Sequence, residues 1–381
     1  MPRKIVIINQ STGYLTIDII NSFADHFDVV DLIYGEIREQ DIPINPKVRK
    51  RRVLKKSRVS HVRRFLAWFF SAVQIFFLLL FRYRKYEIFY FSLPPFSYLG
   101  SLLLPNKFSI LMFDVYPDVL KMLNIKETNF VYKTWARWNR KLFAKAHRVY
   151  TIGDSLANLM AQYAPREKIQ VIPLWTGLSN VQPIAKNENP FIISNKLQGK
   201  FIVQYSGNIG GTHNIESLIE VAIQMKEHKD ILFLIIGRGL KVPQVIKLIE
   251  ENQLHNCMVL PFQPDNVIRY SIAAADISVV LIEDKIADVS IPSKVYNIMA
   301  VGSGVLSISP HSSELSKLIL KYQCGANFQK EEISRMADYI LKVKSDPILM
   351  QLYSSNAIAA AKNYTAANAD LYLQSYIKND E

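Results

Sequence analysis

The chain of 381 residues contains only two cysteines, Cys257 and Cys324, and seven scattered histidines. The two cysteines lie far apart and lack the spacing of metal ligands, so we expect no metal site. So few cysteines also exclude a disulfide framework and favour a reducing compartment. Because an apolar strand begins at Lys4, we expect no amino-terminal signal peptide.

The first half of the chain also lacks the three-glycine turn that is typical of dinucleotide-binding folds. A first predicted strand, KIVIIN (4–9), leads into the turn NQSTG (9–13), where Gly13 is the single glycine, and a helix follows to about Asp25. We therefore do not expect a nicotinamide or flavin enzyme. Further apolar runs predict strands at residues 27–34, 87–92, 108–113, 148–153 and 169–174.

What the chain does contain is a glycine-rich turn, FIVQYSGNIGGTHN (201–214), between a predicted strand and a helix. Such a turn directs backbone N–H groups and the positive end of the helix toward one point, and larger side chains would keep a phosphate away. Downstream, SIPSKVYNIMAVGSGVLSIS (290–309) opens another helix with Ser293 and Lys294. Two such turns favour a pocket for a nucleotide diphosphate, although each is also typical of an ordinary strand-to-helix connection.

The elements around these turns alternate between strands and helices. Apolar runs at 231–237, 258–262 and 277–282 are separated by helical patterns, including 242–251 and a helix that we expect Asp265 to cap. This order predicts a parallel sheet with both faces covered, which binds ligands at the carboxyl ends of its strands.

The polar segment 175–200 has little periodicity and is the best candidate for a domain boundary. We predict a first domain over residues 1–182 and a second domain over 183–360. We expect the C-terminal helix in 361–381 to return to the first domain.

Four motifs of the chain are informative together: DVYPD (114–118), YSGNIG (205–210), IGRG (236–239) and PSKVYNIMAVGSGVL (292–306). On these motifs the chain resembles the GT-B glycosyltransferases, an α/β fold of two Rossmann-like doubly wound parallel-sheet domains facing a cleft. More narrowly it resembles family 4, in particular bacterial enzymes of O-antigen, colanic-acid and capsule assembly. The resemblance implies a UDP- or GDP-linked sugar donor held by the second domain, an acceptor held by the first, retention of anomeric configuration and no further cofactor.

Several features of family 4 are missing. The family commonly has two glutamates separated by seven residues, where this chain has Val289 and Asn297. It also commonly has Arg and Lys in the first glycine loop, where this chain has Asn208 and His213-Asn214, so that Lys294 is the closest cationic candidate. A frequent His-Asp pair is replaced by Phe113-Asp114. These departures leave the chemical roles open and allow an inactive relative.

A retaining transfer must stabilise an oxocarbenium-like sugar and a departing diphosphate, which backbone N–H groups and a cation can do. Lys294 opposes the helix dipole unless an anion is close, although a solvated first-turn lysine is the alternative. The predicted donor-binding residues are Gly207, Asn208, Gly210, Gly211, Arg238, Phe262, Ser293, Lys294 and Asn297. Among them, Asn297 either bonds a ribose or sugar hydroxyl or is an ordinary helix-face asparagine.

On the acceptor side we predict Gly13, Asp114 and Asp118, and we assign catalytic roles to Asp114 and Lys294. Asp114 follows an apolar strand, where an unpaired carboxylate is costly. It either orients the acceptor hydroxyl and takes up its proton, or caps the DVYPD turn.

The net charge of +13 comes from one segment. Residues 47–85 contain 13 lysines and arginines and no acidic residue, whereas the rest of the chain has 33 of each sign. The segment includes the apolar run FLAWFFSAVQIFFLLLF (65–81). A transmembrane helix is disfavoured because it needs about 20 apolar residues, and nucleic-acid binding leaves the aromatic run unexplained. We predict contact with an anionic membrane surface, although part of 65–81 alternatively forms a core helix.

Together these features predict a peripheral glycosyltransferase of cell-surface polysaccharide synthesis on the cytoplasmic face of the inner membrane. Its partners would be a nucleotide-sugar donor and a polyprenyl-diphosphate-linked acceptor, without nucleic acid. Two alternatives keep the fold: an inactive sugar-nucleotide-binding partner subunit, and a non-hydrolysing sugar-nucleotide 2-epimerase.

Overall fold

A computed structural model describes residues 2–39, 42–57, 60–178, 183–210, 214–284, 287 and 292–378. The chain divides into two compact units. The first unit contains Met1–Leu174 and Ala366–Glu381, and the second contains Trp175–Thr365. The first boundary therefore lies before the predicted 182/183, at the start of the polar segment that begins at Trp175. Residues 179–182 lie outside the described part of the chain.

Within the described residues, the first unit is built on a seven-stranded parallel sheet in the order β3-β2-β1-β4-β5-β6-β7. The strands are β1 (Lys4–Thr12), β2 (Val29–Ile37), β3 (Arg49–Arg52), β4 (Glu87–Phe91), β5 (Phe108–Met112), β6 (Arg148–Thr151) and β7 (Ile169–Val171). The helices are α1 (Tyr14–His26), α2 (His61–Phe81), α3 (Phe130–Lys145) and α4 (Asp154–Met160), with 3-10 helices at Ser97–Leu102, Asp118–Leu123 and Arg166–Lys168.

Two local predictions for this unit were wrong. The residues 9–12, expected in a turn, continue β1, because Asn9 and Thr12 pair in register with Tyr34 and Ile37 of the equally long β2. The basic segment 47–85, for which no strand was predicted, contains the edge strand β3, which pairs with β2. Arg49 of β3 forms an ion pair with the buried Asp31 of β2. Part of the positive charge therefore stabilises the edge of the sheet.

The 21-residue helix α2 packs against the rest of the first unit along one of its faces. Ala67, Ser71, Ile75 and Leu79 recur at every fourth position and are buried, which is the pattern of a helix packed along one side. The window Val62–Phe81 is nevertheless long and apolar enough to cross a membrane by length and composition, and 28% of it is buried. The argument that the apolar run is too short to span was therefore wrong, whereas the buried stripe agrees with the alternative that part of 65–81 forms a core helix.

The second unit has, among its described residues, a six-stranded parallel sheet in the order β10-β9-β8-β11-β12-β13. The strands are β8 (Phe201–Asn208), β9 (Ile231–Arg238), β10 (Cys257–Leu260), β11 (Ile277–Leu281), β12 (Gly304–Ile308) and β13 (Gly325–Phe328). The helices are α5 (Pro190–Ser194), α6 (Glu216–Gln224), α7 (Val242–Glu251), α8 (Asp265–Ile272), α9 (Lys294–Ala300), α10 (Glu314–Tyr322), α11 (Ile333–Ser345) and α12 (Pro347–Ala361).

Buried apolar clusters cover both faces of this second sheet, as expected for parallel strands. The predicted cap of α8 was wrong: Pro264 is the N-cap, and Asp265 is the first helical residue. A carboxylate at that position still interacts favourably with the helix dipole.

The last helix, α13 (Asn368–Ile377), belongs to the first unit and packs on α1. The ring of Tyr376 lies 5.4 Å from that of Phe23, and its hydroxyl donates to Glu87 at 2.7 Å. Both sheets are parallel and covered by helices, so the predicted α/β class with two Rossmann-like units is confirmed.

Candidate functional site

A cavity of about 400 Å³ lies in the second unit, at the carboxyl ends of β8 and β11. These two strands are neighbours, yet the chain leaves β8 toward β9 on one side and β11 toward β12 on the other. The cavity therefore occupies the point where the strand order reverses, the usual ligand position in such sheets. Its lining residues are Gln204, Tyr205, Ser206, Gly207, Asn208, Phe262, Gln263, Ile268, Ser271, Ile272, Ser278, Leu281, Ile282, Pro292, Ser293, Lys294, Asn297 and Ile298.

Lys294 is the first residue of α9 and places its ammonium group in this cavity. The Nζ atom lies 3.4 Å from the carbonyl oxygen of Ser206 and 3.9 Å from the centre of the Tyr205 ring. No carboxylate pairs with it among the residues that the structure describes. Burial lowers the pKa of Lys294 to about 7, because few groups nearby compensate the desolvated charge. An anion in the cavity would supply the missing charge.

Gly207 leaves the backbone at the base of the cavity without a side chain. Its φ of +154° favours glycine, and a Cβ atom there would lie 3.4 Å from Nζ of Lys294. The neighbouring Gly237 has a different role, since its Cβ would lie 2.0 Å from the carbonyl oxygen of Gly207. Close packing of the two strands thus explains Gly237, whereas access to the lysine explains Gly207.

The rest of the predicted glycine loop is only partly in the site. Asn208, the last residue of β8, lines the cavity, and the hydroxyl of Tyr205 donates to its carbonyl oxygen at 2.7 Å, which fixes the end of the strand. Gly210 is buried but is not a lining residue, and Gly211 lies outside the described residues.

The remaining predicted donor residues divide into lining and supporting groups. Ser293 lines the cavity, and its side chain does not cap α9. Asn297 also lines it, but its amide oxygen accepts hydrogen bonds from Thr176 Oγ1 at 2.8 Å and from the Gly177 backbone at 2.9 Å. Phe262 lines the cavity, while the guanidinium of Arg238 lies 5.0 Å from the centre of its ring. Arg238 thus supports Phe262 without lining the cavity.

Sequence reasoning missed Gln204, a polar residue inside the buried strand β8. The residue is only 2% exposed, and its Oε1 atom accepts no hydrogen bond from the described residues. An unpaired buried amide oxygen is costly unless a ligand or water supplies a donor. The signal was available in the sequence, since a glutamine interrupts the apolar run before the glycine turn.

In the first unit, Asp114 follows β5 in a partly buried position. Its backbone N–H and that of Phe113 approach Ser92 Oγ at 3.4 Å and 3.2 Å, but its carboxylate accepts no hydrogen bond from the described residues. Burial raises the pKa of the Asp114 carboxyl, and the nearby Lys56 ammonium offsets part of that rise. The alternative role as an N-cap was wrong, because Pro117 precedes the next 3-10 helix and no side chain caps it.

Asp118 does not have the features of an acceptor-binding group. It is 4% exposed, and its carboxylate accepts hydrogen bonds from the Tyr132 hydroxyl at 2.7 Å, the Tyr163 hydroxyl at 2.5 Å and Gln162 Nε2 at 3.3 Å. Lys121 Nζ lies 2.9 Å away. The carboxylate is saturated by the protein, so the structure supports a structural role for Asp118.

Gly13, the third predicted acceptor-side residue, is the N-cap of α1 with an extended backbone at φ −130°. No described atom lies within 4 Å of the position that a Cβ would occupy. The open space at the end of β1 is compatible with a ligand, but the backbone there does not require glycine.

A known protein family matches the chain within its second unit. Residues 187–360 match the family described as "Glycosyl transferases group 1". The chain is 27% identical over 243 residues to a probable glycosyltransferase, WbjE, of Pseudomonas aeruginosa, covering 62% of this chain and 60% of that protein. It is 28% identical over 174 residues to the putative colanic acid biosynthesis glycosyl transferase WcaI of Escherichia coli (strain K12), covering 45% of this chain and 42% of that protein. The matches thus span less than two thirds of either relative.

Solved structures resemble almost the whole chain. Sucrose-phosphate synthase from Thermosynechococcus elongatus has a TM-score of 0.75 at 14% identity, covering 99% of this chain and 98% of that one. WaaG, a glycosyltransferase of lipopolysaccharide biosynthesis, has a TM-score of 0.72 at 14% identity, covering 98% and 100%. Anabaena Alr3699/HepE in complex with UDP-glucose has a TM-score of 0.73 at 13% identity, covering 98% and 99%. The predicted GT-B glycosyltransferase fold is confirmed.

Proposed function

Starting from the glycosyl transferases group 1 match of residues 187–360, we propose that this protein is a glycosyltransferase of bacterial cell-surface polysaccharide synthesis. It binds a nucleoside-diphosphate sugar in the cavity of the second unit and transfers the sugar to a lipid-linked saccharide, with retention as in family 4. The observation that carries the proposal is the buried, unpaired ammonium of Lys294 beside the bare backbone of Gly207.

Each part of the cavity has a chemical role in this proposal. Lys294 and the Ser293 hydroxyl contact the diphosphate, and Lys294 stabilises the negative charge that develops as the bond to the sugar breaks. Gly207 lets the diphosphate approach the strand end. Gln204 offers an acceptor for a donor hydroxyl or amide, and Phe262 provides an apolar wall.

In the first unit we propose that Asp114 binds the acceptor hydroxyl and takes up its proton. Asp114 follows β5, and its carboxylate accepts no hydrogen bond from the described residues. Its raised pKa suits a group that exchanges a proton with a hydroxyl. Asp118 is excluded from this role because its oxygens are already engaged.

One observation favours the alternative of a binding subunit without catalysis. Asn297 stands where family 4 commonly has a glutamate, and its amide oxygen is committed to Thr176 and Gly177. Val289, at the other glutamate position, lies outside the described residues.

We also propose that the protein is peripheral on the cytoplasmic face of the inner membrane, in contact with anionic lipid. The support is the basic segment 47–85 together with the exposed aromatic side chains of α2, such as Phe70 at 54% and Phe81 at 75% exposure.

The deciding experiment incubates the protein with UDP- and GDP-sugars, with and without a polyprenyl-diphosphate saccharide. Lipid-dependent donor consumption supports the transferase. Epimer formation without acceptor identifies an epimerase, and binding without turnover identifies a partner subunit. The Lys294→Met variant serves as the control, since donor consumption that keeps the wild-type rate at low donor concentration in this variant does not come from this cavity.

A further inference from the structure

The first unit has a second concave region, which we call the apolar groove, with a volume of about 800 Å³. It is bounded by α2 on one side and by the 3-10 helix Ser97–Leu102 and α3 on the other. Its lining residues are Phe65, Phe69, Ala72, Val73, Phe76, Phe77, Phe96, Ser97, Leu99, Gly100, Leu102, Leu103 and Trp138. None of them is charged, and the volume is in the range of sites that hold whole small molecules, roughly 300–1,000 Å³.

The walls of the groove are held in place by close packing. The rings of Phe65 and Phe96 meet edge to face at 5.5 Å. A Cβ on Gly100 would lie 2.9 Å from Cδ2 of Phe76, so glycine lets the 3-10 helix approach α2 this closely. The opposite stripe of α2 is buried, with Ile75 at 1% and Leu79 at 0% exposure. The groove is therefore a formed feature of the folded unit.

Large apolar side chains remain exposed inside and around the groove. Phe69 is 48% exposed, Phe77 51%, Trp138 44% and Leu103 80%. A contiguous exposed patch of this kind is rare in proteins without an apolar ligand or surface to cover it. The occupant is thus apolar where it enters the groove.

The positive charge around the groove indicates the chemistry of the part of the occupant that stays outside it. Residues 47–85, which include α2, contain no acidic residue, and neither do residues 133–145 of α3, which contain five lysines and arginines. Two copies of this chain docked through the groove would bring these like charges together, which is unfavourable. An occupant with an anionic head matches the charge instead.

We propose that the apolar groove binds the hydrocarbon chain of a lipid phosphate, with its phosphate near the basic amino-terminal end of α2 at Arg63 and Arg64. The groove takes one hydrocarbon chain out of the bilayer, whereas exposed side chains of α2 that do not line the groove, such as Phe70 and Phe81, rest on the bilayer surface. The identity of this lipid as the acceptor rests on the proposed function, but the chain site does not depend on the sugar donor.

Farnesyl phosphate is the probe for the test, with its binding to the full-length protein measured by calorimetry in detergent-free buffer. Val73→Trp fills the groove, and Phe70→Trp places the same side chain on α2 outside it. We expect Val73→Trp to weaken binding at least about tenfold, which corresponds to roughly two lost buried methylene groups. Phe70→Trp should bind within about twofold of the wild type, and farnesol should bind more weakly than its phosphate.

Equal binding by both variants would overturn the proposal, as would binding that is seen only with phosphatidylglycerol vesicles and is unaffected by Val73→Trp. A dimer in analytical ultracentrifugation that Val73→Trp dissociates would instead identify a second copy as the occupant. UDP-glucose and GDP-mannose binding and thermal unfolding are measured in the same variants. Wild-type donor affinity and unfolding temperature in these variants show that the second unit is intact. A negative result for farnesyl phosphate binding then does not count against the proposed donor site.

Discussion

Lys294 in the second unit and Asp118 in the first are both buried charged groups, yet their surroundings are opposite. Asp118 accepts hydrogen bonds from two tyrosine hydroxyls and a glutamine and pairs with Lys121. Lys294 has one long contact to a carbonyl oxygen and a tyrosine ring beneath it. The protein satisfies the charge of Asp118, whereas the described residues provide no counter-charge for Lys294. The difference separates a structural carboxylate from the ammonium that we propose as a donor-binding group, although both were predicted as site residues.

The largest effect on folding should come from Asp118→Ala. The buried hydroxyls of Tyr132 and Tyr163 would each lose their acceptor, at a cost of about 1–3 kcal/mol apiece in the free energy of unfolding. Urea unfolding checks this, with Asp154→Ala as the control, since Asp154 is 71% exposed in its pair with Arg166. Normal stability with lost turnover would reverse our assignment of Asp118.

Asp114 extends the comparison, because its carboxylate resembles Lys294 in lacking a hydrogen-bond partner. Asp114→Asn should reduce turnover by about 100-fold if the carboxylate takes up the acceptor proton, without changing donor affinity. Initial rates and donor binding measured on the same preparation separate the two quantities. A variant with full activity would place Asp114 outside the reaction.

Lys294→Met should separate binding from stability. Loss of a charge-assisted contact to phosphate, about 1.5–3 kcal/mol, would weaken sugar-nucleotide binding roughly 10- to 150-fold. Calorimetry checks this, with Lys317→Met as the control, because Lys317 is an exposed lysine of α10. Unchanged affinity would remove Lys294 from the site.

The same Lys294→Met variant should unfold at a higher temperature than the wild type. The folded-state pKa of Lys294, about 7, lies below its ordinary value of 10.5. The penalty for burying the charge is therefore present in full below pH 7 and disappears as the pH rises toward 10.5. The stability gain should be largest below pH 7, and an equal gain at pH 6 and pH 10 would contradict this origin.

Donor binding should itself depend on pH. Below pH 7 Lys294 is already protonated, whereas above it binding a diphosphate requires proton uptake. The affinity for UDP-glucose or GDP-mannose should be constant below pH 7 and fall by up to about tenfold per pH unit above it. Calorimetry from pH 6 to pH 9 tests this prediction, and Lys294→Met should remove the dependence.

The smallest effect is expected at Gly13. Gly13→Ala should lower the stability by no more than about 1 kcal/mol, because its backbone is extended and no described atom lies within 4 Å of the new Cβ, and the remaining cost is that of alanine as an N-cap. Gly237→Ala is the contrasting variant, since its Cβ would meet the carbonyl oxygen of Gly207 at 2.0 Å. Thermal unfolding of the pair distinguishes an open position from close strand packing.

The sequence by itself determined the two α/β units and most of their strands and helices. Apolar runs separated by helical periodicity follow from local chemistry, so β9 and α7 lie within a residue of the predicted ranges. The turn after Gly207 and the helix that opens at Lys294 were visible for the same reason. Glycine and a Ser-Lys pair have local conformational and electrostatic preferences that do not depend on distant contacts.

Only the tertiary structure decided which of these residues have partners. Nothing local to Asp118 shows that Tyr163, 45 residues away, saturates it, or that Thr176 engages Asn297 from 121 residues away. The paired β3 edge and the groove beside α2 are also products of packing between distant segments. Whether a buried polar group is free for a ligand depends on donors and acceptors that folding brings near, and this information lies in the fold rather than in any local pattern.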